Sequence, residues 1–529
     1  MEYRSMSFHQ GWPDLELVRL GAELGFNDIC FQTEGGTVKP LFELRKRADE
    51  KGYFSLAKKL GMSISLWVHE LEDYEEAWGP VSLDNKSLWA ALRERYRLIL
   101  TELLPEVDYL VLTVVETQIR MTDFILLQRL IETLHDQCSR YGKKLIFRTF
   151  VWHPDEEKNV AKALEKLPED VIIMSKCVPQ DWHMRSINDR LIGNVGERKQ
   201  IVEVDIAGEY FRLDHVANCF TNLLEKQFAY WKEKKCQGIS VRVDRGWKPW
   251  EYQCTVLHQA QEVNLWALGY LSTGKPGGVD EAWMDYAFKY FGHEAAAVMI
   301  EVLRSTGDVI AEALCVEHET FGDTRQKIPA GTVMQGTSKK QDPRYPIPFH
   351  EASTARVISD EDDYIWSNPF HSNWSVFRWD AEYFPEYRKI RMGDISIINN
   401  KEASYAHARF LADKSLEMLA KVKEILPDGA YPFYKFKLEE NKFHLMAMCE
   451  AALAWLKASN MLYCYVSDRA QENLLWQVLD HLRNLSLLQE KYEEHMECWF
   501  QGKYHMLRRG EYIDINGFIN EFKRYWQIG

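Results

Sequence analysis

The sequence predicts a (β/α)8 barrel followed by a mainly α-helical C-terminal domain. Three observations carry this. Short β-rich runs alternate with amphipathic stretches over roughly the first 250 residues, no glycine-rich phosphate loop follows the first run, and the alternation stops near Trp250. Strand–helix alternation implies parallel βαβ units, and about eight of them in about 250 residues is the size of a closed barrel. An open doubly wound sheet usually carries a Gly-rich turn after its first strand.

The predicted strands are Glu2–Gln10, Asn27–Thr33, Met62–His69, Tyr109–Glu116, Lys144–Trp152, Val171–Lys176, Ile201–Ile206 and Gly238–Asp244. Helical patterns such as Trp89–Leu104, Phe124–Tyr141 and Asp155–Leu167 lie between them. Residues 1–255 are assigned to the barrel and 256–529 to the helical region. Within the latter, 255–315 reads as helical, 318–375 as loop-rich, and long amphipathic helices dominate from Glu402. Leu416, Leu419, Val422 and Leu426 keep helical spacing, as do Leu475, Val478, Leu482 and Leu485. Such stripes face a core or a second subunit, and a homodimer through this region is expected. The acidic run Asp360–Asp363 reads as a solvated loop.

Composition excludes several classes. The net charge of −14 argues against nucleic acid as the main partner, since phosphate contacts need a basic face. No uninterrupted apolar run reaches the length of a membrane span. Met1–Met6 shows no basic stretch leading into an apolar run, so a cytoplasmic location is expected. The 10 cysteines form no C-x-x-C pair, which favours reduced buried thiols over a zinc site or disulfide framework.

Barrel enzymes carry their chemistry at the C-terminal ends of the strands, and strand parity says which side chains face inward. With Val202, Val204 and Ile206 toward the helices, Glu203 and Asp205 point into the barrel. The last strand repeats this, turning Ser240, Arg242 and Asp244 inward. Arg148 shares a face with Ile146 and Phe150, the fourth strand ends in Glu116 and the sixth in Lys176. Buried charges are costly unless paired or functional. Internal ion pairs such as Arg242 with Asp205 or Glu203 are the bland explanation, but acids and bases gathered at five strand ends suit a polar, hydroxyl-rich ligand. Trp67, Trp152, Trp182, Trp247 and Trp250 lie at or beyond strand ends, where indoles can pack on sugar rings. Arg245 joins the candidate binding residues, and His69 and His153 follow strand ends.

Phe147-Arg-Thr-Phe-Val-Trp152, Lys176-Cys-Val-Pro-Gln-Asp181-Trp182 and Glu203-Val-Asp-Ile-Ala-Gly-Glu209-Tyr210 resemble, in order and spacing, glycoside hydrolase family 67, the α-glucuronidases. That family carries W-R-A-F-V-Y, K-N-G-P-I-D-F and E-x-Q-I-T-Q-E-Y runs. Asn264-Leu-Trp-Ala-Leu-Gly269 and Phe288-Lys-Tyr-Phe-Gly292 resemble its N-x-Y-A-F-G and T-F-G segments. The resemblance implies an inverting, exo-acting glycosidase on uronic-acid-containing oligosaccharides, with no cofactor and no metal. Glu116 would be the general acid, and Asp181 with Glu209 would hold and deprotonate the water. Arg148 and Lys176 match residues that contact the uronate and hydroxyls. The chain departs from the family at Leu112, where a Lys is usual, and its first predicted strand begins at residue 2 where the family first has a β domain. A glycosidase of other sugar specificity, a metal-dependent sugar isomerase or epimerase using His69, Glu116, Glu203 and Asp205, and a non-catalytic sugar-binding barrel are the alternatives.

Overall fold

A computed structural model describes residues 1–8, 14–33, 38–71, 79–114, 123–151, 154–178, 188–207, 216–245, 254–317, 319–320, 395–463, 468–500 and 515–526. The strands β1 (Tyr3–Phe8), β2 (Asp28–Thr33), β3 (Ser63–His69), β4 (Tyr109–Thr113), β5 (Lys144–Arg148), β6 (Ile172–Lys176), β7 (Gln200–Asp205) and β8 (Gly238–Arg242) close into one parallel barrel in chain order. Closure is made by β1 on β8, with Tyr3 opposite Gly238 and Ser7 opposite Arg242. The barrel was therefore legible strand by strand. The ladder is shorter than the apolar runs: β4 stops at Thr113 rather than Glu116, and β5 at Arg148 rather than Trp152. Beyond Arg148, whose partner is Met174, the backbone leaves the sheet.

Helices fill the connections: α1 (Leu15–Glu23), α2 (Val38–Lys51), α3 (Tyr53–Lys59), α4 (Lys86–Leu98), α5 (Phe124–Arg140), α6 (Pro154–Leu164) and α7 (Thr221–Glu233). Side-chain caps start three of them. Asp14 accepts from Glu16 N at 2.7 Å, Asn85 from Leu88 N at 3.1 Å, and Asp123 from Leu126 N at 3.0 Å. The helix expected at Trp89–Leu104 starts at its Asn85 cap and ends in a π-helical turn, Ile99–Leu103. On α5, Leu127, Leu130, Ile131 and Leu134 form the buried stripe that holds it to the sheet.

After the hairpin of β9 (Asp244–Arg245) and β10 (Cys254–Thr255) come α8 (Glu262–Thr273), α9 (Gly278–Arg304) and α10 (Thr306–Leu314). Two glycines here have physical reasons. A Cβ on Gly269 would stand 2.9 Å from the Leu24 carbonyl oxygen, so only glycine lets α8 approach that backbone. Gly292 breaks α9 with φ 74°, a left-handed conformation that favours glycine. A short hairpin, β11 (Cys315–Val316) with β12 (Glu319–Thr320), follows. Most of the predicted 318–375 loop, with Asp360–Asp363, lies outside the described residues.

Two compact units divide the chain: Met1–Asp181, Ser186–Ala207 and Asn222–Ala282 form the first, and the remainder the second. The second contains α11 (Ile395–Lys421), α12 (Ala430–Tyr463), α13 (Asp468–Phe500) and α14 (Ile515–Trp526). Leu419, Val422, Val478, Leu482 and Leu485 are buried within this unit, where α12 packs against α11 and α13. These stripe residues thus serve the chain's own core. Among the described residues no helix is long and apolar enough to cross a membrane. The seven cysteines whose state is described are free and buried.

Candidate active site

Inward parity in the barrel is identified by a belt of Cys30, Trp67, Val111, Ile146, Ile172, Met174 and Ile201, with Tyr3 and Tyr109 packed against it. Followed to the C-terminal ends, that parity gives Ser7 on β1, Gln32 on β2, His69 on β3, Thr113 on β4, Arg148 on β5, Lys176 on β6, Glu203 and Asp205 on β7 and Arg242 on β8. All except Gln32, which is half-buried, are buried. Every strand of the barrel therefore ends in a polar inward residue.

Glu203 is the hub. Arg148 clamps it through two bonds, Nε to Oε2 at 2.6 Å and Nη2 to Oε1 at 3.0 Å, and Lys176 Nζ stands 3.8 Å from Oε1. This bidentate geometry is the strong form of an ion pair. Burial alone would push the Glu203 carboxyl up, but Arg148 and Lys176 outweigh burial and hold it below the usual range, so it is ionised. The Arg148 guanidinium lies 4.8 Å from the Trp67 ring and 4.6 Å from Phe150, with Lys176 Nζ 4.5 Å from Phe150. The expected internal pairs joined Arg242 to Asp205 or Glu203, whereas the clamp on Glu203 comes from Arg148. The reason is geometric: in a closed barrel alternate strands supply one interior layer, so β5 reaches β7 across β6. Arg242 instead stands opposite Asp205 in the β7–β8 register. Asp205 Oδ1 also accepts from Ala207 N at 2.8 Å, fixing the chain as it leaves β7.

The ring's other half is neutral. Burial, then the charges of Arg148 and Arg242, push the His69 imidazole down to about 3, so it is uncharged at neutral pH. Its Nε2 lies 3.0 Å from the Gln32 amide nitrogen, which donates to it. The Gln32 amide oxygen and the Thr113 hydroxyl are buried and make no hydrogen bond. The Ser7 hydroxyl has the Cys30 thiol beside it and no further partner. Toward the N-terminal ends the barrel closes on a second polar group. The buried Asp28 carboxylate accepts from the hydroxyls of Tyr3 at 2.9 Å, Ser5 at 2.6 Å, Ser63 at 2.8 Å and Ser65 at 2.9 Å. Burial nevertheless raises it to about 6.

Of the sequence-predicted site residues, Arg148, Lys176, Glu203, Asp205 and Arg242 share this ring. Arg245 pairs in the β9–β10 hairpin through its backbone, opposite Cys254. Glu116, Asp181, Glu209, Trp152 and Trp182 lie outside the described residues, as do His153, Trp247 and Trp250. Trp67, considered as a sugar platform, is fully buried in the interior belt beneath Arg148. Sequence reasoning passed over Ser7, Gln32 and Thr113, whose residue types are ordinary in strands. It also missed three buried acids. Glu70, directly after β3, takes Arg95 Nη1 at 2.9 Å and the Tyr96 hydroxyl. Burial, and then Glu157, raise the carboxyl of Asp189, and burial raises that of Glu157. No signal in a single sequence separates these from solvated acids. Among the described residues no group of three or more His, Cys, Asp and Glu is arranged to hold a metal.

No protein-family model matches the sequence, and no curated protein is similar to it. Solved structures are similar in fold. Over 99% of its length the chain matches a GH138 enzyme targeting pectin rhamnogalacturonan II, with a TM-score of 0.60 at 11% identity. It spans 66% of that enzyme. An O-GlcNAc hydrolase of Thermobaculum terrenum is matched at a TM-score of 0.42 and 11% identity, over 99% of this chain and 94% of that one. A sugar phosphate isomerase/epimerase from Parabacteroides distasonis is matched at 0.31 and 13%, over 49% and 90% of the two chains. The first of these likenesses shows the architecture, a closed barrel joined to a helical region.

Proposed function

We propose that the chain is a glycoside hydrolase of the inverting, exo-acting α-glucuronidase-like type, acting on uronic-acid-containing oligosaccharides. The observation that carries this reading is the Arg148–Glu203–Lys176 cluster at the strand ends. It is a rigid charged floor continuous with neutral hydrogen-bonding groups, as recognition of an anionic, hydroxyl-rich sugar requires. In the reaction, Glu116 donates its proton to the leaving glycosidic oxygen while water adds to the anomeric carbon from the opposite side. Asp181 and Glu209 hold that water and take its proton, leaving one free sugar and one free alcohol. Inversion requires acid and base about 6.5–9.5 Å apart, with room for water between them. Glu203, ionised and clamped, suits substrate orientation rather than proton donation. Asp205, Arg242, Arg245, Trp152 and Trp182 complete the proposed binding set.

The isomerase alternative has less support, because both Glu203 oxygens already accept from Arg148. Self-association and a cytoplasmic location belong to the same proposal. The first is supported by Phe410, Trp476 and Leu487, large apolar side chains that are exposed. The second is supported by the free buried thiols. A panel of α- and β-linked aryl uronides and neutral glycosides tests the assignment, with the first-formed anomer followed by proton NMR. Turnover of an α-uronide with inverted product is expected. Retention, or a covalent adduct on Asp181 or Glu209, refutes the mechanism, and inertness toward every glycoside refutes the assignment.

A further inference from the structure

Helix α13 has two unlike faces. Val478, Leu482, Leu485 and Tyr492 are buried on the side that packs against α12, whereas Trp476, Asp480, Arg483, Leu487 and Glu490 are exposed. The exposed residues recur at intervals of four and three, so at 3.6 residues per turn they form one stripe. That spacing is the seam along which two helices pack lengthwise. Trp476 is 64% exposed and Leu487 50%, an unusual outlay of apolar surface on one helix face. Between them stand Asp480 and Arg483, neither of which forms an ion pair with a described residue of its own chain.

The stripe is complementary to itself when reversed. Trp476 lies as far before the point between His481 and Leu482 as Leu487 lies after it. The same holds for Asp480 and Arg483, and for the exposed Glu472 and Lys491. The geometry points to a two-fold dimer in which α13 packs antiparallel on α13 of a second copy, with the axis at that point. Trp476 then meets Leu487 of the partner subunit, Asp480 meets Arg483 of the partner subunit, and Glu472 meets Lys491 of the partner subunit. Every contact occurs twice, along about 30 Å of helix. Other alignments are opposed by charge. Setting the two Trp476 side chains together brings Asp480 against Glu472, and setting the two Leu487 side chains together brings Arg483 against Lys491. A parallel pairing in register stacks Asp480 on its own copy and Arg483 on its own. Like charges held opposite one another select against all three. The apolar residues thus supply affinity, and the charges set direction and register.

This surface deepens the self-association proposed above and rests on it, but is independent of the sugar chemistry. Its test is charge reversal in the full chain, read by sedimentation equilibrium. Wild type is compared with Asp480→Arg, with Arg483→Asp, with an equimolar mixture of those two variants, and with the double variant Asp480→Arg/Arg483→Asp. Each single reversal turns two attractions into two repulsions, and should weaken self-association about tenfold or more. Opposite charges face one another again in the mixture and in the double variant, which should both return to within about threefold of wild type. Both positions are exposed, so far-UV circular dichroism and Tm should match wild type throughout. A dimer that neither single reversal weakens overturns this surface and leaves self-association standing. A wild type that stays monomeric at micromolar concentration overturns both. Weakened single variants with no recovery in the mixture or the double variant overturn the antiparallel register. Growth beyond a dimer also overturns the proposal, because a two-fold contact closes on itself.

Discussion

Replacing Arg148 by Met removes the clamp on a buried carboxylate. Glu203 is 3% exposed and takes two hydrogen bonds from Arg148, so the substitution removes that clamp and leaves Lys176, at 3.8 Å, and the charge of Arg242. Breaking a buried ion pair by deleting one partner costs about 3–5 kcal/mol, most of it the penalty of the stranded charge. At about 2–4 °C per kcal/mol for a unit of this size, Tm should fall by about 10 °C. The double variant Arg148→Met/Glu203→Gln removes the stranded charge too, and should recover at least half of the loss. Acid sensitivity supplies an independent check. Glu203 is held below its ordinary value of 4.5, so the stability it contributes is present above that value and is lost as pH falls through the depressed one. Thermal unfolding followed by near-UV circular dichroism between pH 3 and 7 should show this acid limb in wild type and lose it in Arg148→Met. An unaltered Tm in the single variant, or a double variant no more stable than the single, would refute the reasoning.

Asp28 titrates with the opposite sign. Its folded carboxyl is raised from 3.8 to about 6, so its contribution is full below about pH 4 and is lost as pH rises to 6, a swing of about 3 kcal/mol. Asp28→Asn should remove that slope, as urea midpoints from pH 4 to 7 would reveal; a variant keeping the wild-type slope contradicts it. Glu116→Gln should abolish hydrolysis of poor leaving groups while sparing part of the rate on activated aryl glycosides, since protonation of the leaving oxygen contributes about 10²–10⁴-fold. Equal losses on both substrates would assign Glu116 another role. Light scattering at micromolar concentration should find a dimer that Trp476→Lys, altering a side chain 64% exposed on α13, converts to monomer; a wild-type monomer sinks the homodimer.

The barrel was readable because short β-rich runs alternate with amphipathic stretches through the first 250 residues, and period-two patterning survives in strands such as β7. Val202, Val204 and the Glu203–Asp205 parity already told inside from outside, and the structure keeps Ile201 in the inner belt below them. Which charges meet was not readable. Adjacent strands suggested Arg242 with Asp205 or Glu203, whereas layering in a closed barrel brings Arg148 across from β5 to clamp Glu203. The neutral half of the ring was hidden for a different reason. Threonine and glutamine occur in strands everywhere, and what distinguishes Gln32 and Thr113 is the lack of a hydrogen bond at a buried atom, a property of three-dimensional packing. Glu116, Asp181 and Glu209 were suggested by motif order alone, and they lie outside the described residues.

The inner belt has a consequence for how this protein can change. Cys30, Trp67, Val111, Ile146 and Ile201 separate Asp28 at one end of the barrel from the charged ring at the other. They form a low-polarity septum, and the leading influences on the Asp28 carboxyl are burial and the hydroxyls of Ser5, Ser63, Tyr3 and Ser65. Proton uptake at the foot is thus set mainly by that hydroxyl box, and Cys30 in the septum feels both Asp28 and Glu203. Substitutions that retune the rim for a new sugar can accumulate without disturbing the hydroxyl box below, and the septum is the layer where a single polar replacement would join the two.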